Sequence, residues 1–177
     1  MNELAMARAL VQRIGHHVSG HRRQAEGLGE WLQAHAEWLM GFAPEEGQSL
    51  RLDQMLELIQ SAPPHDGAMP HVLVLADQLA DLLGFGAFDR ALLALMIGCD
   101  RLERLGSLAK LAGTLALNLP ALLGETAGAA PEDAERVVRR SPVLRLGLIG
   151  FRDDRQGVTM VNVRWTLDRV LDRAPVA

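Results

Sequence analysis

Residues 2–41 space their apolar side chains alternately four and three apart. Leu4, Val11, Val18, Ala25, Leu32 and Leu39 recur every seventh residue, and Ala7, Ile14, His21, Leu28, His35 and Phe42 follow three residues behind. This spacing draws one stripe along a helix, as in a coiled coil or a long helical hairpin. A glycine in a helix interior costs about 1 kcal/mol, so Gly27 and Gly29 predict two helices with a break near Gly27-Leu28-Gly29. Trp31 and Trp38, seven apart, share a face of the second, to pack on the body of the protein or to self-associate.

A loop at 43–48 ends this arm, and Ser49 is placed to cap a helix carrying Leu52, Met55, Leu56 and Ile59. After the turn-rich stretch 62–67, Val72, Leu75, Leu79, Leu82 and Leu83 form a further helical stripe, stopped by Gly84. Phe88 to Ile97 is apolar nearly all round after Arg90, which predicts a central helix with Cys99 buried behind it. Asp100 and Glu103 resemble a capping box for a helix through Leu102, Leu105, Leu108 or Ala109, and Ala112. Asn118 then caps a short helix with Pro120 in its first turn and Gly124 at its end. Between 131 and 140, proline opens a helix, acids fill its first turn, arginines its last, and Ser141-Pro142 stops it.

The period then switches from helical to alternating. Leu144, Leu146 and Leu148 predict a strand, 152–157 a polar turn, Val158 to Val163 the returning strand, and Leu167, Val170 and Leu171 a last helix. Three helices, a hairpin and a helix are the order of a winged-helix module over about 100–173. The expected fold is mainly α: a helical bundle with an N-terminal helical hairpin or coiled-coil arm and a C-terminal winged helix with one β-hairpin. Its parts are a helical arm at 1–48, a helical core at 49–99 and a winged-helix-like module at 100–177.

Composition narrows the function. The chain has 177 residues, 49% hydrophobic and 23% charged, with net charge −4, enough apolar side chain for a substantial core and too little charge for disorder. No run of 18 apolar residues occurs, and Cys99 is the single cysteine; the expectation is a cytoplasmic protein with no membrane segment and no disulfide framework. The one lysine, Lys110, lies in a helical pattern outside any phosphate-binding loop, and nucleophile elbows, HExxH motifs and EF-hand loops are absent. His16, His17 and His21 cluster without the third or fourth ligand that zinc needs. No catalytic, cofactor or metal residue is assigned, and the chain is not expected to be an enzyme.

Charge divides the chain near residue 130. Residues 131–173 hold nine basic against seven acidic side chains, whereas 1–130 hold nine against fifteen. In a winged helix the 131–140 helix would be the recognition helix and 152–157 the wing tip, so Arg136, Arg139, Arg140, Arg152 and Arg155 are the candidate DNA contacts. Glu132 and Glu135 stand four residues before Arg136 and Arg139, and Asp153 and Asp154 separate the wing arginines, far from the basic footprint of a DNA reader. A protein partner is therefore preferred over nucleic acid.

Four segments, Ala87–Leu95, Ser107–Ala109, Leu119–Gly124 and Ser141–Ile149, carry a family likeness. Across about residues 75–172 the chain resembles the region preceding the ATPase core of large bacterial AAA-family ATPases. The Walker motifs and the arginine finger are missing, so no nucleotide-binding residue carries over. The resemblance implies a non-catalytic interaction or regulatory domain, N-terminal or accessory to such an ATPase, that recruits a protein partner or substrate, with the ATPase core in the same or a neighbouring chain. Trp31, Trp38, Arg139 and Arg140 are the expected partner-binding residues, the arm serving for docking or self-association. The alternative is a winged-helix DNA-binding transcription regulator dimerised by its arm.

Overall fold

The computed structural model describes residues 2–43, 50–64 and 67–172. The expected Ser49 cap and most of the 43–48 loop lie outside the described residues, as does the side chain of Val170. The protein is mainly helical, with one small antiparallel sheet near its C-terminus. In order come α1 (Glu3–Val18), α2 (Arg22–Ala34), α3 (Ala36–Met40), α4 (Leu52–Ser61), α5 (His71–Leu82), α6 (Ala87–Arg101), α7 (Glu103–Thr114), α8 (Leu119–Thr126), α9 (Ala134–Arg140), α10 (Pro142–Arg145), β1 (Ile149–Asp153), β2 (Thr159–Val163) and α11 (Trp165–Leu171).

Two helices organise the packing. α1 lies against α2, α3, α4, α7 and α8, and α6 lies against α5, α7, α8, α10 and β2, so α7 and α8 bridge the two. One cluster of buried side chains runs from Leu4 to Leu171. The N-terminal stripe is buried in it: Leu4, Val11, Val18, Leu32 and Leu39 pack within the chain instead of facing a second copy. The break also differs from the expected one. It falls at Gly20, whose φ of +93° is the left-handed conformation that glycine accepts without a Cβ clash, and α2 runs straight through 27–29. Gly27 serves close approach instead, since a Cβ there would stand 3.2 Å from the side chain of Leu115, the residue that follows α7.

α5 buries Leu73, Ala76 and Ala80, a different stripe from the expected one. α6 takes the central position read from its composition, burying Leu92, Leu93, Leu95, Met96, Ile97 and Cys99. Asp100 is no cap. It lies in the last turn of α6, and α7 starts at Glu103 with no side-chain cap. Asn118 does cap α8, its side chain accepting the Ala121 N–H at 3.1 Å. Gly124 does not end that helix but sits inside it, where α9 crosses. Pro131 precedes α9 by a turn, so the helix is shorter than its expected ten residues.

The expected strand at 144–148 is replaced by a helical turn. The Ser-Pro pair that stops α9 also starts α10, because the Ser141 hydroxyl accepts the Val143 N–H at 3.1 Å and proline suits a first helical position. The hairpin follows with Phe151 opposite Val161, and Asp154 shapes its turn by accepting the N–H groups of Gln156 and Val158 at 2.8 and 2.9 Å.

Polar ties join distant segments. The buried Glu125 of α8 meets the Nε2 of His17 on α1 at 2.9 Å. Ser141 donates to Asp89 at 2.6 Å, while Arg90 pairs with Asp77 and Asp81 of α5. Residues that carried the family likeness thus hold α5, α6 and α10 together. Arg101 spans from α6 to Asp168 and Asp172 at the C-terminal helix.

Cys99 is buried, and burial, then Asp100, pushes its thiol up to about 12. The thiolate is the reactive form. A disulfide reagent at pH 8 is accordingly expected to label native protein at least about a thousandfold more slowly than protein unfolded in urea. The unfolded thiol ionises near its ordinary value of 9.0 while the native one stays protonated. The unfolded state therefore binds fewer protons than the native state above about pH 9, and native stability is expected to fall by about 1.4 kcal/mol per pH unit from there to about pH 12. Denaturant titrations across that range, with a Cys99→Ala control, measure it.

Candidate partner-binding site at α9 and the hairpin

The α7–α8 connection, α9 and the hairpin enclose a cleft of about 490 Å³. Leu117 and Pro120 give it apolar walls, Phe151 an aromatic one, and Glu135, Arg139, Arg152 and Asp153 its charge. α9 presents Glu135 and Arg139 side by side because Ala134 and Val138 turn inward against α8. The Arg139 Nε donates to Glu135 at 2.8 Å, and the other Glu135 oxygen accepts from the Asn118 side chain at 2.7 Å. Arg139, then Asn118, holds the Glu135 carboxyl below the ordinary carboxylate range. One chain of contacts therefore runs from the N-terminus of α8 through Asn118 and Glu135 to Arg139. On the hairpin, Asp153 accepts from the Thr159 hydroxyl at 2.8 Å.

Of the arginines singled out by sequence, the structure brings Arg139 and Arg152 to this one cleft. Arg136 pairs with Asp133 at 2.5 Å on the exposed surface of α9. Arg140 and Arg155 are exposed, and with Arg152 they make no ion pair among the described residues. The tryptophans lie elsewhere, both against α7. Trp31 donates to the Ser107 hydroxyl at 3.0 Å and stacks on His35, and the Trp38 ring lies 4.5 Å under the Arg104 guanidinium. Both are half-buried within the chain.

His17 and His21 share no helix, since the chain turns at Gly20 between them. Among the described residues no group of three or more His, Cys, Asp or Glu side chains is placed to hold a metal ion. No described helix is long and apolar enough to cross a membrane.

Three parts of the cleft carried no functional signal in the sequence. Asn118 and Glu135 read as an ordinary cap and an ordinary i,i+4 partner; their link needs α8 and α9 to be crossed in space. Ala116 is the third, the one non-glycine among the described residues with positive φ, +58°. It ends α7 in the position usually given to glycine, with the Leu117 N–H donating to the Ala112 carbonyl at 3.0 Å. The left-handed conformation costs an L-residue about 1–2 kcal/mol, partly offset in a glycine variant by the larger entropy of its unfolded chain. Ala116→Gly is therefore expected to raise stability by about 0.5–1 kcal/mol, seen as a higher urea midpoint with unchanged slope.

The chain matches no family model, no curated protein and no solved structure.

Proposed function

We propose that this chain is a non-catalytic interaction module with a winged-helix-like C-terminal part, accessory to a bacterial AAA-family ATPase, and that the α9–hairpin cleft receives its protein partner. The observation that carries the reading is the charge arrangement of that face. Arg136 and Arg139 are already held by Asp133 and Glu135, and Asp153 stands beside Arg152 in the cleft. A nucleic-acid backbone would bring its phosphates up against these carboxylates, whereas a protein surface supplies both signs of charge and an apolar side chain for Phe151, Leu117 and Pro120. The order of α7, α8, α9, the one-turn α10, the hairpin and α11 supports the winged-helix-like reading, with α10 added between the third helix and the hairpin. The ATPase association rests on the sequence resemblance.

A second reading, a DNA-binding regulator, is favoured by one observation: Arg140, Arg152 and Arg155 keep their charges unpaired among the described residues. Placing a benzophenone amino acid at position 152 and irradiating native cells separates the two. The expected product is a covalent adduct to a protein bearing Walker motifs. Duplex-DNA binding that weakens steeply with salt, and is lost in Arg140→Glu and Arg152→Glu, would establish the regulator instead.

A further inference from the structure

A second cavity, of about 280 Å³, is walled by α1, α5 and α6. It exists because the side of α6 that lines it carries only methyl groups apart from Arg90. Ala87, Ala91 and Ala94 recur at four and three, one face of a helix, and extend about 10 Å along its axis. α5 sets one large apolar side chain against them, Leu73, with Met6 of α1 beside it. Both are buried and seated on the α6 backbone one turn beyond Ala94, since a Cβ on Gly98 would stand 3.7 Å from Met6 Sδ and 3.8 Å from Leu73 Cδ2. They form the floor of a slot. At its mouth is Met69, from the segment before α5, a long flexible side chain left 43% exposed.

Charge is confined to one place on the wall. Asp77 and Arg90 line the slot, and Arg90 is shared between Asp77, at 2.5 Å, and Asp81. Two carboxylates around one guanidinium leave one negative charge in excess. The Oδ1 of Asp77 takes the guanidinium, and its Oδ2 accepts no hydrogen bond among the described residues.

These features select a ligand chemistry. A carboxylate or phosphate drawn to Arg90 would have to displace one aspartate and would still meet the other. A hydrocarbon would cover the Asp77 oxygen and leave it without a donor. An ammonium supplies both the donors and the opposite charge. At about 30 Å³ per water the slot holds about nine waters, room for a compound of about ten non-hydrogen atoms.

We propose that this slot binds a small apolar amine, a primary ammonium on an aliphatic or aromatic body. The ammonium donates to Asp77 Oδ2, the body lies between the α6 alanines and Leu73, and Met69 closes over it. The site shares no residue with the α9–hairpin cleft and stands apart from the function proposed for that cleft.

Titrating the full chain, labelled at its methionine and alanine methyls, with 2-phenylethylamine, 3-phenylpropionate and 2-phenylethanol compares bodies of similar size and different charge. The amine is expected to shift the Met6, Met69, Ala91 and Ala94 methyls saturably, with a dissociation constant on the order of 1 mM, and to bind at least about tenfold tighter than the other two. Asp77→Asn, which leaves Arg90 its bond to Asp81, is expected to erase that preference, and Asp81→Asn, outside the slot, to reduce it less. Ala91→Leu fills the slot and is expected to abolish amine binding. No saturable shift by about 20 mM amine, shifts confined to other methyls, equal affinity for the three compounds, or equal losses from Asp77→Asn and Asp81→Asn would each overturn the proposal.

Discussion

Leu10→Ala is expected to lower the unfolding free energy by about 3–5 kcal/mol, the upper part of the range for a buried leucine. Leu10 is completely buried in the middle of α1. Its surroundings come from several separate elements, since α1 lies against α2, α3, α4, α7 and α8. Those helices are also fastened to one another: Gln24 of α2 donates to the Leu115 carbonyl at 2.6 Å, and Gln12 of α1 donates to the Leu56 carbonyl at 2.8 Å. A cavity walled by elements so tied collapses only in part, and residual volume sets the cost. A loss of this size is a large fraction of the total stability of an ordinary domain, about 5–15 kcal/mol. Urea titration should show a lower midpoint at constant slope. Phe42→Ala, at a side chain 46% exposed, supplies the contrast, with a change within about 0.5 kcal/mol. Equal effects from the two would mean that α1 is not the packing centre of the fold.

Periodicity revealed which segments are helical more reliably than it revealed what each stripe faces. The Leu4–Leu39 stripe is real, and its spacing looks the same whether the neighbour is another chain or α4, α7 and α8 of this one. In α5 two stripes one residue apart are both apolar, and only the position of α6 decides that Leu73, Ala76 and Ala80 are the buried set. Glycines were ambiguous for a related reason. Gly20 breaks a helix because its φ is positive, and Gly27 and Gly124 permit contacts between helices, yet a sequence shows the same residue in all three cases. Ser141-Pro142 carries two local signals at once, the end of α9 and the start of α10, and the alternating leucines behind it outweighed the second.

The cleft was legible only in its arginines. Arg139 and Arg152 are thirteen residues apart, and what joins them is the hairpin folding back beside α9. The acids were read for their charge alone, whereas the structure gives several of them positional duties: Asp154 holds the hairpin turn, Asp153 receives Thr159, and Glu135 ties α9 to the start of α8. The carboxylates of this face therefore fix the geometry of the cleft as well as setting its potential. A net charge counted over 131–173 cannot distinguish an acid that neutralises an arginine from one that builds a turn.

Gly124→Val is expected to cost about 2–3 kcal/mol and to disturb the cleft from behind. A Cβ at this position would stand 2.8 Å from the Ala134 carbonyl oxygen and 2.8 Å from Val138 Cγ2. A crowded side chain can rotate away, but the Ala134 carbonyl belongs to the first turn of α9 and moves only with that helix. α9 must therefore shift from α8, and the Asn118 to Glu135 hydrogen bond that spans them at 2.7 Å stretches with it. Gly29 gives the opposite sign. A Cβ there meets only Met55 Cε at an ordinary 3.9 Å, so Gly29→Ala should gain about 0.5–1 kcal/mol from helix propensity alone. Paired denaturation curves measure both energies, and amide shifts at Asn118, Glu135 and Arg139 show whether α9 has moved. Shifts confined to the neighbours of Gly124, with Glu135 and Arg139 unchanged, would mean that the α8–α9 crossing does not set the cleft's geometry.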